Sequence, residues 1–429
     1  MSFSEPCSNW NVKKLVDVTE YISRGITPKY TESTENSVVV INQRCIRDGK
    51  VLFENSRRHS LKKKSINEDK YLKDYDVLVN STGVGTLGRV SQIHEINELT
   101  TTDSHVTIVR SNENVVDKRF LGYSIKSKQW LIENMAEGST GQTELSRIRF
   151  GEEIEIEFPE SLAEQKAIAH ILSSLDEKIE VNNKINKTLE EMGQSIFKHW
   201  FVDFEFPNED GEPYKSSGGE MVDSELGLIP KGWEVKTLGD LSSEIITGKT
   251  PSTKDKSNFD GKIQFVKIPD MHGKVFITKT ESYLSEKGMN INKVIPPNSI
   301  MVSCIATPGL VSLAAEECQT NQQINTIVNI NPKMSYFTYF LISDLADYIR
   351  TLGSTGSTTL NLNKGQFSKI KVIKPKGKYI YEFYDLVDPI FNKILTNQRM
   401  VERLDSIRDT LIPKLMSGEI RVPLDIEEQ

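Results

Sequence analysis

The stretch WNVKKLVDVTEYISRGITP, Trp10–Pro28, returns without gaps as WEVKTLGDLSSEIITGKTP, Trp233–Pro251, and nine of the nineteen positions are identical: Trp, Val, Lys, Leu, Asp, Ile, Gly, Thr and Pro. Identity of that density marks a duplication, and a duplication sets the architecture before any single element is read. Other landmarks recur in the same order. Gly49-Lys50-Val51 matches Gly273-Lys274-Val275, the strand-like YDVLVNST around Val77 to Ser81 resembles NSIMVSC around Ile300 to Ser303, and EGSTGQTEL (Glu137–Leu145) matches LGSTGSTTL (Leu352–Leu360) at a shift of 215. Between the landmarks the copies diverge. Both still alternate short β-rich runs (Val38–Ile41 and Val106–Val109; Ile263–Val266 and Ile324–Ile330) with Gly, Ser, Thr and Asn turns. Each copy reads as a mixed α/β domain on a shared scaffold with its own loops.

After Pro159 and Pro375 the apolar period changes from two to about three and a half, the mark of a long amphipathic helix. With Ile168 as heptad position a, the a sites are Ile168, Leu175, Asn182, Leu189 and Ile196, and the d sites are Ile171, Lys178, Ile185, Met192 and His199. The shift of 215 gives a sites Phe383, Ile390, Asn397, Leu404 and Leu411, and d sites Leu386, Lys393, Met400, Ile407 and Lys414. The expected pairing is a coiled-coil seam of a and d, with Asn182 and Asn397 as register pins, since a buried amide penalises slipped alignments. Chain order makes the pair antiparallel. Residues 163–200 as a helix span about 57 Å, on the order of one to two turns of duplex, which suits a spacer between two readers. A connector without a spacing role has the same pattern.

The expected fold class is α+β: two pseudo-symmetric mixed α/β domains joined by two long antiparallel coiled-coil helices. The boundaries read as a first domain over 1–158, a central helix over 159–205, a linker over 206–231, a second domain over 232–376, a C-terminal helix over 377–420 and a tail over 421–429. The linker reading rests on the Gly, Ser, Pro and acidic content of PNEDGEPYKSSGGEMVDSELGLIPK.

A length of 429 residues calls for more than one core. MSFSEPCSNW has no basic start followed by an apolar run, and no later stretch is long and apolar enough for a bilayer, so a cytoplasmic protein without a membrane role is expected. Four scattered cysteines without a CxxC pair, and six histidines without HExxH, indicate neither a disulfide framework nor a metal site. The net charge of −7 argues against a polyanionic partner, but the average hides segregation. Residues 1–150 carry 22 Lys+Arg against 19 Asp+Glu and residues 233–378 carry 18 against 12, whereas 151–232 carry 7 against 19 and 379–429 carry 6 against 10. Two basic blocks alternating with two acidic ones fit two modules that approach phosphate.

Catalytic motifs fail one by one. Gly248-Lys249-Thr250 lacks the earlier glycine of a phosphate loop, because that position holds Ser243. Pro269-Asp270 near Lys274 lacks the second carboxylate of a metal-dependent nuclease and reads as a loop, and Asn331-Pro332-Lys333-Met334 lacks the second proline and aromatic ring of a base-cradling loop. The GSTG loops are the sharpest signal: small residues allow close backbone approach, and hydroxyls and amides donate to phosphate or base edges. Tight turns that support the fold have the same composition. The DNA-contacting candidates are Arg24, Lys29, Arg44, Arg47, Arg57, Arg58, Thr82, Arg89, Ser139, Thr140, Gln142 and Thr143 in the first copy. In the second they are Lys249, Lys254, Lys267, Lys274, Ser354, Thr355, Ser357 and Thr358.

In combination, NWNVKKL, IPKGWEVKTLGDL, SELGLIPKGW, the paired GSTG loops, FPESLAEQKAIAHILSSLDEKI and LIPKLMSGEI give the whole chain a pattern that resembles the specificity subunit of type I restriction-modification systems. The resemblance implies a non-enzymatic subunit whose two target recognition domains each read half of a bipartite, interrupted double-stranded DNA sequence. The helices would set the gap and dock two modification (methyltransferase) subunits. Those partners would methylate adenine with S-adenosylmethionine, and restriction (translocase/nuclease) subunits would use ATP and magnesium; no cofactor is expected in this chain. The second helix departs from the pattern, with FYDLVDPIFNKIL where the first opens on proline and Glu-Gln. An enzyme with two pseudo-symmetric sites would need matching catalytic residues in both copies, and the cysteines and histidines do not pair. A scaffold that binds proteins accords with the acidic pI of about 5.6.

Overall fold

A computed structural model of the chain describes residues 10–47, 49–136, 144–305, 307–353 and 362–423. The chain forms two compact units, Met1–Lys178 with Leu404–Gln429, and Ile179–Arg403. Both long helices, Leu162–Phe197 and Gly377–Met416, therefore contribute to both units.

In the first unit Trp10–Lys14 pairs antiparallel with Glu155–Pro159, tying the domain's opening to the strand that precedes the helix. One sheet runs Thr19–Arg24, Val106–Ser111, Val77–Asn80, Val90–Gln92, all antiparallel. The other runs Thr100–Thr102, Ser37–Ile41, Arg57–Ser60, Tyr30–Thr31, and its first pair is parallel. Val38–Ile41 are buried on both faces, as a continuous β-branched run requires. The second unit repeats this plan. Glu234–Thr237 pairs with Lys371–Lys374; Ser242–Thr247, Ile324–Asn329, Ile300–Ser303 and Val311–Ala314 form one sheet, extended by Phe276–Ile277; and Phe259–Val266 lies between Ser282–Leu284 and the parallel Cys318–Thr320.

The repeated glycine has a steric cause. A Cβ on Gly25 would stand 2.0 Å from the Thr102 carbonyl oxygen, and one on Gly248 2.2 Å from that of Thr320. The following amides bond to the same carbonyls, Ile26 N–H to Thr102 at 2.8 Å and Lys249 N–H to Thr320 at 3.0 Å. The copies also reveal their true register past the GSTG loops. Leu145 N–H donates to Ser81 O (2.8 Å) and Leu362 N–H to Cys304 O (2.9 Å), each just before a helix cap, Ser146 or Asn363. Leu145 thus corresponds to Leu362 rather than Leu360, a shift of 217, because the second copy is two residues longer here.

The helices run antiparallel within each unit, as expected. In the first, Arg421 grips Glu164 (2.6 and 2.8 Å) and Arg408 meets Asp176 at 2.8 Å. In the second, Gly193 lies beside Phe391 and Phe197 meets Phe383, so numbers fall on one helix as they rise on the other. Burial corrects the expected seam. The a sites are buried (Ile168, Asn182, Phe383, Asn397) or half-buried (Leu175, Leu189, Ile196, Ile390, Leu404, Leu411), but the d residues Ile171, Ile185, Met192, Leu386, Met400 and Ile407 are exposed. Lys178, His199 and Lys393 are exposed too, and Lys414 is half-buried. Position e replaces d: Leu172, Ile179, Asn186, Gly193, Val387 and Ile394 are buried. Each helix covers a domain core as well as its partner, which widens and rotates the buried stripe.

Asn182 and Asn397 are buried, yet they do not bond to each other, and among the described residues neither amide nitrogen has an acceptor. A charged pair, Arg408 with Asp176, bridges the helices instead, and the first helix start is tied to its domain, where the Gln165 side chain donates to Pro159 O (2.9 Å) and accepts from Asp117 N–H (2.7 Å). The second helix start uses other partners: Lys333 pairs with Asp385 (2.7 Å) and Tyr336 donates to Asp388 (2.9 Å).

Helix ends fuse with domain cores. Ile168, Ala169, Leu172, Ile412 and Leu415 join Trp10, Phe120 and Phe158 in the first unit. Phe197, Phe201, Phe383 and Phe391 join Trp233, Phe337 and Phe340 in the second. The stretch 206–231, which composition reads as a flexible linker, is part of this second core. Phe206 stacks on Trp233 (4.9 Å) and Tyr214 (4.6 Å), and Met221–Ser224 pairs with Gly227–Pro230 as a hairpin. Polar composition concealed the four apolar anchors Phe206, Tyr214, Met221 and Ile229.

Replacing Asn182 and Asn397 together by Leu removes two buried, unpartnered donors, each costing about 1–3 kcal/mol. The melting temperature of the double variant is expected to hold or rise. A Cβ on Gly193 would lie 2.7 Å from Phe340 Cζ inside the aromatic cluster, so Gly193→Val is expected to destabilise by about 1–3 kcal/mol, read as a lowered denaturant midpoint.

Candidate nucleic-acid interface

The predicted cations divide into those used by the fold and those left outward. Arg24 pairs with Glu144 and donates to Leu145 O (2.9 Å), holding the chain just after the GSTG loop. Arg58 grips Glu98 (2.6 and 3.2 Å) and Ser37 Oγ (2.9 Å), and holds the Glu98 carboxyl below its ordinary range. Arg89 donates to Gly85 O (2.8 Å), Lys267 to Ser282 Oγ (2.7 Å), and Lys274 lies 3.7 Å from Glu402. These five brace loops.

Lys29, Arg44, Arg47, Lys249 and Lys254 have exposed side chains whose charged groups meet no hydrogen-bond or ion-pair partner among the described residues. Arg57 is exposed and lies over Tyr30, 3.5 Å from the ring centroid. Lys62, Lys63 and Lys64 join them. This exposed run stands in the sequence as KKK, a signal that was available and is absent from the predicted contacts. The fold sets Lys29 and Lys64 together through buried His59, whose Nδ1 accepts from Lys29 N–H (2.7 Å) while Nε2 donates to Lys64 O (2.8 Å). The first unit thus has a basic rim of Lys29, Arg57 and Lys62–Lys64 along the Tyr30–Thr31 and Arg57–Ser60 strands.

Near the ends of strands Ser37–Ile41, Val77–Asn80 and Thr100–Thr102 lies a hydrogen-bonded polar cluster that sequence reasoning largely misses. Of its members only Thr82 is among the predicted contacts. Thr82 Oγ1 lies 3.3 Å from Gln43 Oε1 and 2.9 Å from His105 Nδ1, and Asp103 accepts from His105 N–H (3.0 Å). Burial pushes the Asp103 carboxyl up, and Asp103 forms an isolated parallel bridge with Ile26, three residues before Lys29 of the rim. The bounding loop, Ser81–Gly88, turns through Gly83 (φ 99°), Gly85 (φ 73°) and Gly88 (φ 84°) and presents Val84 at its exposed tip.

The second unit carries the same backbone with other side chains. Cys304 N–H donates to Gln323 O as Ser81 N–H does to His105 O, so Gln323 stands in the place of His105 and Asn321 in that of Asp103. Asn321 Nδ2 donates to Gln323 Oε1 (2.9 Å), and Thr250 to Gln322 Oε1 (2.6 Å). This face is amide-rich, with Lys249 at its margin. Ser139, Thr140, Gln142, Thr143, Ser354, Thr355, Ser357 and Thr358 lie outside the described residues.

The rejected motifs are occupied by structural duties. Asp270, read as part of a loop, lies in the short helix Ile268–Met271 and accepts from Lys267 N–H (2.8 Å) and Glu281 N–H (2.9 Å). Asn331 accepts from Lys333 N–H (2.9 Å). Cys45 and Cys304 are buried, with their thiols pushed up to about 11, and Cys318 to about 12, which disfavours the reactive thiolate. Among the described residues no His, Cys, Asp or Glu group is arranged to hold a metal ion, and no helix is long and apolar enough to cross a membrane.

Two copies of one domain, each with a polar cluster at equivalent backbone positions, call for comparison with known proteins. The type I restriction modification DNA specificity domain matches twice, over residues 7–191 and 230–410. The chain belongs to this family of specificity subunits. It is similar to the type I restriction enzyme HindI specificity subunit of Haemophilus influenzae, 33% identical over 96% of this chain and 100% of that one. It is also similar to the MjaIX specificity subunit of Methanocaldococcus jannaschii, 28% identical over 96% and 94%. The crystal structure of a type I restriction-modification S subunit from M. genitalium has the same fold, with a TM-score of 0.57, 16% identity and 99% of each chain covered. Specificity subunits are the non-catalytic, DNA-recognising components of type I systems, and the two repeats are this subunit's DNA recognition domains.

If the lysine rim meets phosphate, Lys62, Lys63 and Lys64 changed together to Ala weaken duplex binding for every sequence alike. The slope of log K against log salt becomes shallower by about 0.9 for each phosphate no longer neutralised, measured by filter binding across a salt series.

Proposed function

We propose that each recognition domain of this specificity subunit reads one half of a bipartite, interrupted duplex sequence, while the helices set the gap and dock two modification subunits. The observation that carries the reading is one backbone bearing two reading faces: His105, Asp103 and Gln43 in the first unit stand where Gln323, Asn321 and Ile268 stand in the second. A shared frame offers DNA two equivalent approaches, and different side chains demand different bases. Support for docking comes from the exposed d-position residues. Ile171 and Ile407 on the first unit, and Ile185, Met192, Leu386 and Met400 on the second, are apolar side chains left to solvent on otherwise amphipathic helices. The partners would supply the chemistry, adenine methylation with S-adenosylmethionine in the modification subunits, and ATP- and magnesium-dependent translocation and cleavage in restriction subunits. The assembly would act in the cytoplasm, where its DNA substrate lies.

The decisive experiment exchanges residues 10–150 for the corresponding domain of a relative and maps methylated sites across the genome. One half-site should change while the other half and the gap persist. A change in both halves, or in neither, contradicts the modular reading.

A further inference from the structure

In the first unit's polar cluster, Gln43 keeps amide hydrogen-bonding groups without a partner among the described residues. We propose that Gln43 recognises an adenine edge in the half-site of the first domain, with Thr82 and His105 positioning its amide. The inference rests on the proposed DNA-recognition role and assigns a specificity-determining residue within it.

Gln43 follows strand Ser37–Ile41 in a turn held at several points: Asn42 Oδ1 accepts from Arg44 N–H (2.9 Å), Asn42 Nδ2 donates to Asn55 O (2.9 Å), and Cys45 N–H donates to Asn42 O (2.9 Å). The carbonyl of Gln43 itself accepts from Asn80 Nδ2 (3.1 Å), a side chain with no solvent exposure. The turn therefore presents its side chain from a fixed base.

The side chain is oriented as well. Thr82 has a single hydroxyl proton. Given to Gln43 Oε1 at 3.3 Å, it leaves the Thr82 oxygen to accept from His105 Nδ1–H at 2.9 Å. This assignment turns one lone pair of the Gln43 carbonyl toward Thr82 and leaves the other, together with both amide N–H groups, without a protein partner among the described residues. A free acceptor beside a free donor on one planar amide matches the major-groove edge of adenine, whose N6 amino group donates and whose N7 accepts. Guanine presents two acceptors at that edge and rejects the amide carbonyl. In the second unit the parallel pairing of Phe265 and Val266 with Gln319 and Thr320, set against Val40 and Ile41 with Thr101 and Thr102, places Ile268 at the corresponding position. Ile268 is buried, so the reader belongs to one domain only.

The test uses the full-length chain and a randomised duplex library, with sequencing of the bound pool. Wild-type protein should enrich a bipartite sequence. Gln43→Ala should enrich the same sequence with adenine preference reduced on the order of tenfold at one position of one half. Gln43→Glu, nearly isosteric, presents only acceptors and should exchange that adenine for cytosine, whose N4 donates. Thr82→Val should weaken the same preference and Thr82→Ser restore it. Equal melting temperatures show that the variants fold. Unchanged preference in both Gln43 variants, or loss spread over both halves, overturns the assignment while leaving DNA recognition standing. If wild-type protein enriches no bipartite sequence, the proposed half-site reading falls and this assignment with it.

Discussion

The structure depends on each recognition domain sharing its hydrophobic core with the ends of the two long helices. In the first unit Ile168, Ala169, Leu172, Ile412 and Leu415 are as much core as Trp10 and Phe120. In the second, Phe197 and Phe383 lie among Phe337, Phe340 and Trp233. A helix with such a face cannot leave its domain without exposing large apolar side chains, so domain and helix end behave as one body. The same demand explains why the buried stripe follows a and e: one helix must cover a neighbour and a domain at once.

With the scaffold held this way, the reading surface is free to vary. Gly25 and Gly248 press on equivalent carbonyls, and Ser81 and Cys304 occupy equivalent hydrogen-bonding places, yet the side chains beside them have diverged, His105 and Asp103 against Gln323 and Asn321. Charge is also apportioned by the frame. Arg24, Arg58 and Arg89 are committed to fixing loops, while Lys29, Arg57 and Lys62–Lys64 stay outward. A basic residue on a variable loop is thus as often a brace as an outward, unpaired charge, and composition alone does not tell the two apart.

Duplication, two domains, long antiparallel helices and the absence of catalytic motifs were legible because each is written in local pattern: identical residues at matching spacing, and an apolar period that changes after Pro159 and Pro375. The rotation of the seam was not legible, since exposure of Ile171 or Met192 depends on what lies beside the helix. Nor was the second core's claim on Phe206 and Tyr214, which sit in a stretch of linker-like composition.

The amino-acid sequence by itself determined that this chain is a doubled module with paired helices, because repeats and periodicity survive without knowledge of neighbours. Only the tertiary structure decided which polar groups remain available to a partner. Gln43, Thr82 and His105 are far apart in the chain and become one cluster only when three strand ends converge, and Lys62–Lys64 meet Lys29 through His59 and Ser60. The physical reason is that hydrogen-bonding capacity is defined by what is already satisfied, and satisfaction is a property of packed neighbours rather than of residue order.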